Sequence, residues 1–370
     1  MEITSARGRA FAALKPAFLD VLGDLWDAQS NPDGIVNLGL AEKVQYDAHV
    51  LTYGDGFSGS HRLKNAICQF LNRYFNPRTA LYPCDIAVTS GVSNALECCA
   101  WALADAGDYI LVGRPYFNAF KTIFGTRPQI ELLEVAFGTT DPFSIDAINE
   151  YERTYAEAKR KGLRVKALLL CSPHNPLGRC YSDDVLKEYM KFCSRNRLHL
   201  ISDEIYALSV WENPRLPDEP RFKSILSFNI EDFMDSEMVH VVWGLSKGSH
   251  NMPPVGTDAN YRIASLLLSD DTLLKQYIST NRRRLSESYQ FATKFLQAHK
   301  VPYVECNAAF FIWLNLGAEM LARLRQEKVY VAPGTIYAAE EAGWFRMVFA
   351  HPPHVLEEGL NRMIRAVRLD

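Results

Sequence analysis

KALLLCSPHNPLGRCYSDDVLKEYMKFCSRNRLHLISDEIYA, residues 166–207, carries two apolar runs separated by a segment of helix length. The first run, Ala167 to Cys171, closes on the turn Ser172-Pro173-His174-Asn175-Pro176-Leu177-Gly178, and the second ends in Asp203-Glu204. Unbroken apolar runs bounded by turn residues predict buried strands, so the stretch reads as one βαβ unit. Its polar groups stand at the C-terminal ends of the strands, where open α/β sheets bind ligands. Farther on, Val239-His240-Val241-Val242-Trp243 predicts another buried strand, followed by Gly244-Leu245-Ser246-Lys247. Three strand ends therefore offer an amide, a carboxylate and an amine.

Outward from this unit the pattern continues. Toward the N-terminus, strands are expected at Asp85 to Thr89, Tyr109 to Gly113 and Ile130 to Val135, with helices at His61 to Tyr74, Ala95 to Ala104 and Ser144 to Lys161. A helix is also expected at Pro16 to Ala28, an extended piece at Ile35 to Leu40, and a glycine-rich loop at Leu51 to Ser60. The turn Ser90-Gly91-Val92-Ser93-Asn94 is a strand-glycine-helix junction, which serves equally as a plain βα turn or as a seat for a phosphate. Tyr116 and Phe117 close another strand end; they suit a core, or the face of a planar ligand.

After Lys247, Gly248 to Tyr261 contains Pro253-Pro254 and no periodicity, and reads as a loop. A long helix at about 272–299 follows, then short runs at Tyr303 to Cys306, Ala309 to Asn315, Val329 to Ala332 and Trp344 to Phe349, and a last helix after Pro353. This α+β tail differs from the parallel pattern before it. The expectation is an α/β fold, a mainly parallel sheet with helices on both faces plus a smaller α+β domain. Its expected parts are 1–50 as the N-terminal part of the small domain, 51–270 as the large domain and 271–370 as the rest of the small one.

Composition excludes several classes. With 370 residues, 48% hydrophobic and 22% charged, the chain has the make-up of a globular enzyme. A net charge of -3 without a block of like charge argues against nucleic-acid or membrane surfaces, and Arg282-Arg283-Arg284 reads as a solvated helix face. Eight cysteines form no CxxC pair and nine histidines no HExxH, so neither a disulfide frame nor a metal is expected. No run reaches membrane-span length, and a reducing cytoplasm is the expected location.

What needs an amine, a carboxylate and an amide at adjacent strand ends? A lysine can form a Schiff base with a carbonyl. An aspartate facing a pyridine nitrogen keeps it protonated and makes the ring an electron sink. Asn175 and Tyr206 can donate to a phenolate oxygen on that ring, an aromatic side chain can stack on it, and a helix N-terminus can hold a phosphate. The constellation describes pyridoxal 5'-phosphate (PLP). Singly, Lys247 reads as a surface lysine, Asp203 as a helix cap and Asn175 as a turn former; the joint placement is what points to the cofactor.

SPHNPLG, SDEIYA and LSK at these spacings resemble the class I/II aminotransferases of PLP fold type I, and NPDGIVNLGLAE with VHVVWGLSK resembles their 1-aminocyclopropane-1-carboxylate synthase-like branch. The resemblance runs from about residue 31 onward. It implies Lys247 as Schiff-base lysine and catalytic base, Asp203 as pyridinium partner, and Asn175 and Tyr206 on the phenolate oxygen, with Asp203 and Tyr206 counted as catalytic. It places Phe117 on the ring, Val92 and Ser93 on the phosphate, Arg346 on the substrate carboxylate and Glu42 facing the substrate. The implied activity is an aminotransferase on an amino-acid substrate, or else a synthase or C–S lyase using the same Cα deprotonation, or a non-catalytic relative; a homodimer is implied with it. Three positions depart from the family. Gly244 stands for a serine and Val255 for an arginine, both on the phosphate, and Phe57 stands for a partner-subunit tyrosine. The stretch from Gly248 to Tyr261 is also shorter than the family's.

Overall fold

A computed structural model describes residues 3–13, 24, 26, 28–36, 60–248 and 258–368. The βαβ unit forms as its sequence demands: β3 (Val165–Cys171), α6 (Asp183–Asn196) and β4 (His199–Asp203). Helix α6 starts at Ser182, whose side chain accepts from the Val185 N–H, one of the donors the first helical turn leaves free. β1 (Tyr109–Gly113), β2 (Glu131–Val135) and β5 (Val239–Val242) complete a parallel sheet in the order β2-β1-β3-β4-β5.

Alternation along β3 assigns its two faces. Leu168 and Leu170 enter one core with Tyr151, Tyr189 and Phe192 from α5 (Ala147–Arg160) and α6. Ala167 and Leu169 enter the other, with Leu96 and Ala100 of α3 (Val92–Leu103) and Phe120 and Phe124 of α4 (Phe120–Gly125). Both faces are covered, which is why the strands read as continuous apolar runs.

Around the sheet lie α1 (Ala6–Ala13), α2 (His61–Tyr74), α7 (Leu245–Gly248) and α8 (Asp258–Ser269). Helices α2 and α8 pack together through Leu63, Ala66, Phe70, Ala264 and Leu268. The second sheet, β6 (Phe311–Asn315), β8 (Trp344–Val348) and β7 (Ala332–Pro333), is antiparallel in the order β6-β8-β7. It shares a core with α9 (Asp271–Ala298) and α11 (Pro353–Val367), and α10 (Met320–Gln326) lies against α11.

Several expectations are corrected. Asp85 to Thr89 forms no strand: Asp85 ends a short 3-10 turn, and the residues after it pair with no strand among the described residues. Ile86 and Val88 instead pack against the α2–α8 cluster. Tyr303 to Cys306 contributes a single bridge, Tyr303 to Leu314. The Gly248 to Tyr261 loop gives way to α8 from Asp258. The helix expected at Pro16 to Ala28 lies largely outside the described residues.

Candidate active site

The three strands flagged by sequence are neighbours, and their ends form one row: Cys171 pairs with Asp203, and Asp203 with Val242. Asp203, the last residue of β4, is 3% exposed. Its Oδ1 accepts from the Ile205 N–H at 3.2 Å, and no basic side chain among the described residues pairs with it. Burial pushes its carboxyl from 3.8 up to about 7, with only the Ile205 N–H pulling the other way. A buried carboxylate without a cation fits a ligand that presents a protonated nitrogen.

Asn175, in the turn after β3, is buried, and its Oδ1 accepts from Arg346 Nη1 at 2.9 Å. With the oxygen engaged, the amide NH2 is the group left to donate. Arg346 comes from the other sheet, on β8, and its guanidinium lies 4.9 Å from the Phe311 ring and 4.8 Å from Tyr337. Its Nε is buried with no hydrogen-bond partner, an orphan that a bound carboxylate would satisfy.

Tyr206, also buried, packs edge-on against Phe310 and Phe311, each with ring centroids 5.4 Å away. Burial raises its hydroxyl pKa, opposed in part by Arg346, so the group stays a donor at neutral pH. Lys247, on α7, is exposed, and its Nζ stands 6.0 Å from the centroid of the same Phe310 ring. Its backbone carbonyl accepts from Ser209 Oγ at 3.4 Å.

Helix α3 begins at Val92 after Gly91, whose φ of 87° is left-handed. The N–H groups of Val92 and Ser93 are among those a first helical turn leaves without an internal acceptor. Gly244 closes on this helix start: a Cβ there would stand 3.0 Å from Val92 Cγ2 and 4.0 Å from Val92 N. Phe117 is half-buried and edge-on to Phe120, centroids 5.4 Å apart. Glu42, Phe57 and Val255 lie outside the described residues.

Sequence reasoning passed over two features of the site. Glu204 is fully buried; its Oε1 accepts from Ser202 Oγ and the Ile225 N–H, both at 3.0 Å, and burial pushes it up to about 7. Its position beside Asp203 at a buried strand end was the available signal. Phe310, between Lys247 and Tyr206, carries no signal in sequence that separates it from ordinary core.

Comparisons with known proteins show the family and the fold. The profile described as aminotransferase class I and II matches residues 38–253 and 255–363. A probable aminotransferase, aclI, of Aspergillus oryzae is 31% identical over 85% of this chain and 83% of its own length. The human 1-aminocyclopropane-1-carboxylate synthase-like protein 1 is 30% identical over 92% of this chain and 77% of its own. A mouse protein named as a probable inactive 1-aminocyclopropane-1-carboxylate synthase-like protein 2 is 30% identical over 395 residues, which span 92% of this chain and 67% of the relative. Among solved structures, an aromatic aminotransferase of Pyrococcus horikoshii superposes with a TM-score of 0.69 at 22% identity, covering 84% of this chain and 86% of that one. A PLP-bound protein of Clostridium difficile gives a TM-score of 0.65 at 18% identity, covering 83% of each chain. The fold is that of PLP fold type I, and the chain belongs to the class I and II aminotransferases.

Proposed function

We propose that this protein is a PLP-dependent aminotransferase acting on an amino acid, with Lys247 as its catalytic lysine. The observation that carries the reading is the buried, cation-free Asp203 carboxylate beside the Arg346–Asn175 pair. When bound, the cofactor supplies an electron sink for the carbon that bears the amino group. Asp203 would hold the proton on the ring nitrogen, and the Asn175 NH2 and Tyr206 hydroxyl would donate to the ring oxygen. Val92 and Ser93 N–H groups would take the phosphate, and Phe117 would cover the ring. Arg346 would fix the substrate carboxylate through its free N–H groups, with Glu42 facing the same substrate. The Lys247 amine is assigned to bind the cofactor and to take the substrate's Cα proton. Transfer is preferred to elimination because relatives from Aspergillus oryzae and Leptosphaeria maculans are both named as probable aminotransferases.

A non-catalytic protein that keeps the fold is the competing reading. Gly244 favours it, since a glycine against the start of α3 gives a phosphate no side-chain donor. The proposal extends to a cytoplasmic homodimer, with residues 51–270 as the large domain and 1–50 with 271–370 as the small one. Absorbance of purified protein incubated with PLP decides between the readings. The enzyme should gain a near-visible band that Lys247→Ala loses, and should convert a 2-oxo acid to an amino acid when given a donor. Protein that stays colourless excludes the enzyme. A band with keto acid released and no acceptor consumed replaces transfer with elimination.

A further inference from the structure

A cavity of about 340 Å³ opens at the end of the parallel sheet opposite to Asp203. It lies where β3, β4 and β5 begin, bounded by Lys166, His199 and Met238. Along β4 the two ends are separated by the five residues His199–Asp203, about 13 Å of strand. Nothing in the proposed chemistry uses this cavity.

Its walls are sorted by chemistry. Ile3, Leu103, Met234 and Met238 give an apolar lining, and the two methionines are flexible and polarisable enough to fit an irregular occupant. Lys166 and Arg197 bring two cations. Arg197 has no side-chain partner among the described residues. Lys166 reaches only Asp108, at 4.0 Å, and that carboxylate is already taken by Arg164 at 2.5 Å. Asp235 is the single acid on the lining, and its Oδ1 is spent on the Glu237 N–H. The balance therefore favours a ligand with one negative charge.

The remaining wall is held shut by histidines. His199 Nε2 lies 2.7 Å from the Ile3 carbonyl, and His199 Nδ1 lies 3.0 Å from His240 Nε2. The carbonyl can only accept, so Nε2 carries the proton and Nδ1 accepts from His240. Burial lowers both imidazoles, His240 to about 4, which keeps them neutral and this arrangement intact at physiological pH. With both nitrogens engaged, His199 ties the N-terminal segment over the cavity rather than meeting a ligand.

We propose that this cavity binds a small amphipathic monocarboxylate, its apolar chain among Ile3, Leu103, Met234 and Met238 and its carboxylate between Lys166 and Arg197. The volume falls in the range of small-molecule sites, and an arginine fork suits a carboxylate. Octanoate is the probe, with octylamine and inorganic phosphate as controls, on protein carrying methyl-labelled methionine. Octanoate should shift the Met234 and Met238 methyl resonances saturably and leave Met320, Met347 and Met363 in place. Neither control should do so. Lys166→Met combined with Arg197→Met should weaken octanoate at least about tenfold. Met238→Trp, which fills the cavity, should abolish the Met234 shift while circular dichroism stays unchanged. The proposal is overturned if the shifts do not saturate, if they spread to all methionines, if octylamine matches octanoate, or if either variant binds like the parent.

Discussion

A carboxylate closed off from water with no cation beside it burdens the native state, and among the described residues Asp203 is such a group. In the cofactor-free protein it ionises near 7 rather than 3.8. Between those values the folded chain keeps a proton that the unfolded chain has released, so the group's contribution is fully present below the lower value and is lost as pH rises through the higher one. Glu204 adds to the same trend, being pushed from 4.5 up to about 7. The melting temperature of cofactor-free protein should therefore fall as pH rises from 4 through 7. Asp203→Asn should flatten that fall, removing on the order of 4 kcal/mol of its penalty at the alkaline end; an unchanged slope in the variant would disprove the burial argument. At Arg346 the prediction is kinetic. Arg346→Lys keeps the charge but gives up the planar fork and the bond to Asn175 Oδ1, so KM for the amino acid should rise at least about tenfold while the PLP band persists. A variant that loses the band instead would place Arg346 on the cofactor.

Among the elements, the turn after β3 has the narrowest tolerance. Gly178 has φ of 65°, and a Cβ on it would stand 2.8 Å from the Ala308 carbonyl oxygen and 3.0 Å from Cys306 Cβ. Its own carbonyl accepts from the Asn307 and Ala308 N–H groups, at 3.1 and 2.9 Å, which clamps the turn that holds Asn175 to the chain entering β6. Gly178→Ala should cost about 2–4 kcal/mol, visible as a lower melting temperature, and should raise KM through Asn175. A melting temperature like the parent's would mean that the turn and its neighbour give way freely. The same turn shows why parts of the fold were legible. Asn175, Asp203 and Lys247 could be placed because each follows a short apolar run, and a buried parallel strand leaves that signature whatever it packs against. His61–Tyr74 and Tyr109–Gly113 match their expected bounds for the same local reasons, a serine cap in one and an apolar run in the other. Asp85 to Thr89 has the composition of a strand, but a ladder needs a neighbour, and no sequence window contains that information. The Arg346–Asn175 contact spans both sheets and was equally out of reach, although each residue could be named alone.

At the scale of the whole molecule, the candidate site draws on both sheets, with Asp203 from the parallel one and Arg346 from the antiparallel one. The N-terminal arm binds the first of these at its far end. Arg7 lies over Trp101 at 4.1 Å and donates to the Ala104 and Pro128 carbonyls, at 2.9 and 2.8 Å. Elsewhere in the first 36 residues, Phe11 is 59% exposed with its ring edge-on to Trp101, Trp26 is 48% exposed and Val36 61%. Exposed aromatic and aliphatic side chains of this kind are what a protein partner would cover. The homodimer proposed above would make that protein a second copy of this chain. Sedimentation should then give twice the mass of one chain. Val36→Asp combined with Phe11→Asp should shift the protein toward monomer without changing its circular dichroism, because both side chains are more than half exposed. If the parent sediments as a monomer, the arm's apolar face belongs to a different partner; if the double variant remains a dimer, the copies meet elsewhere.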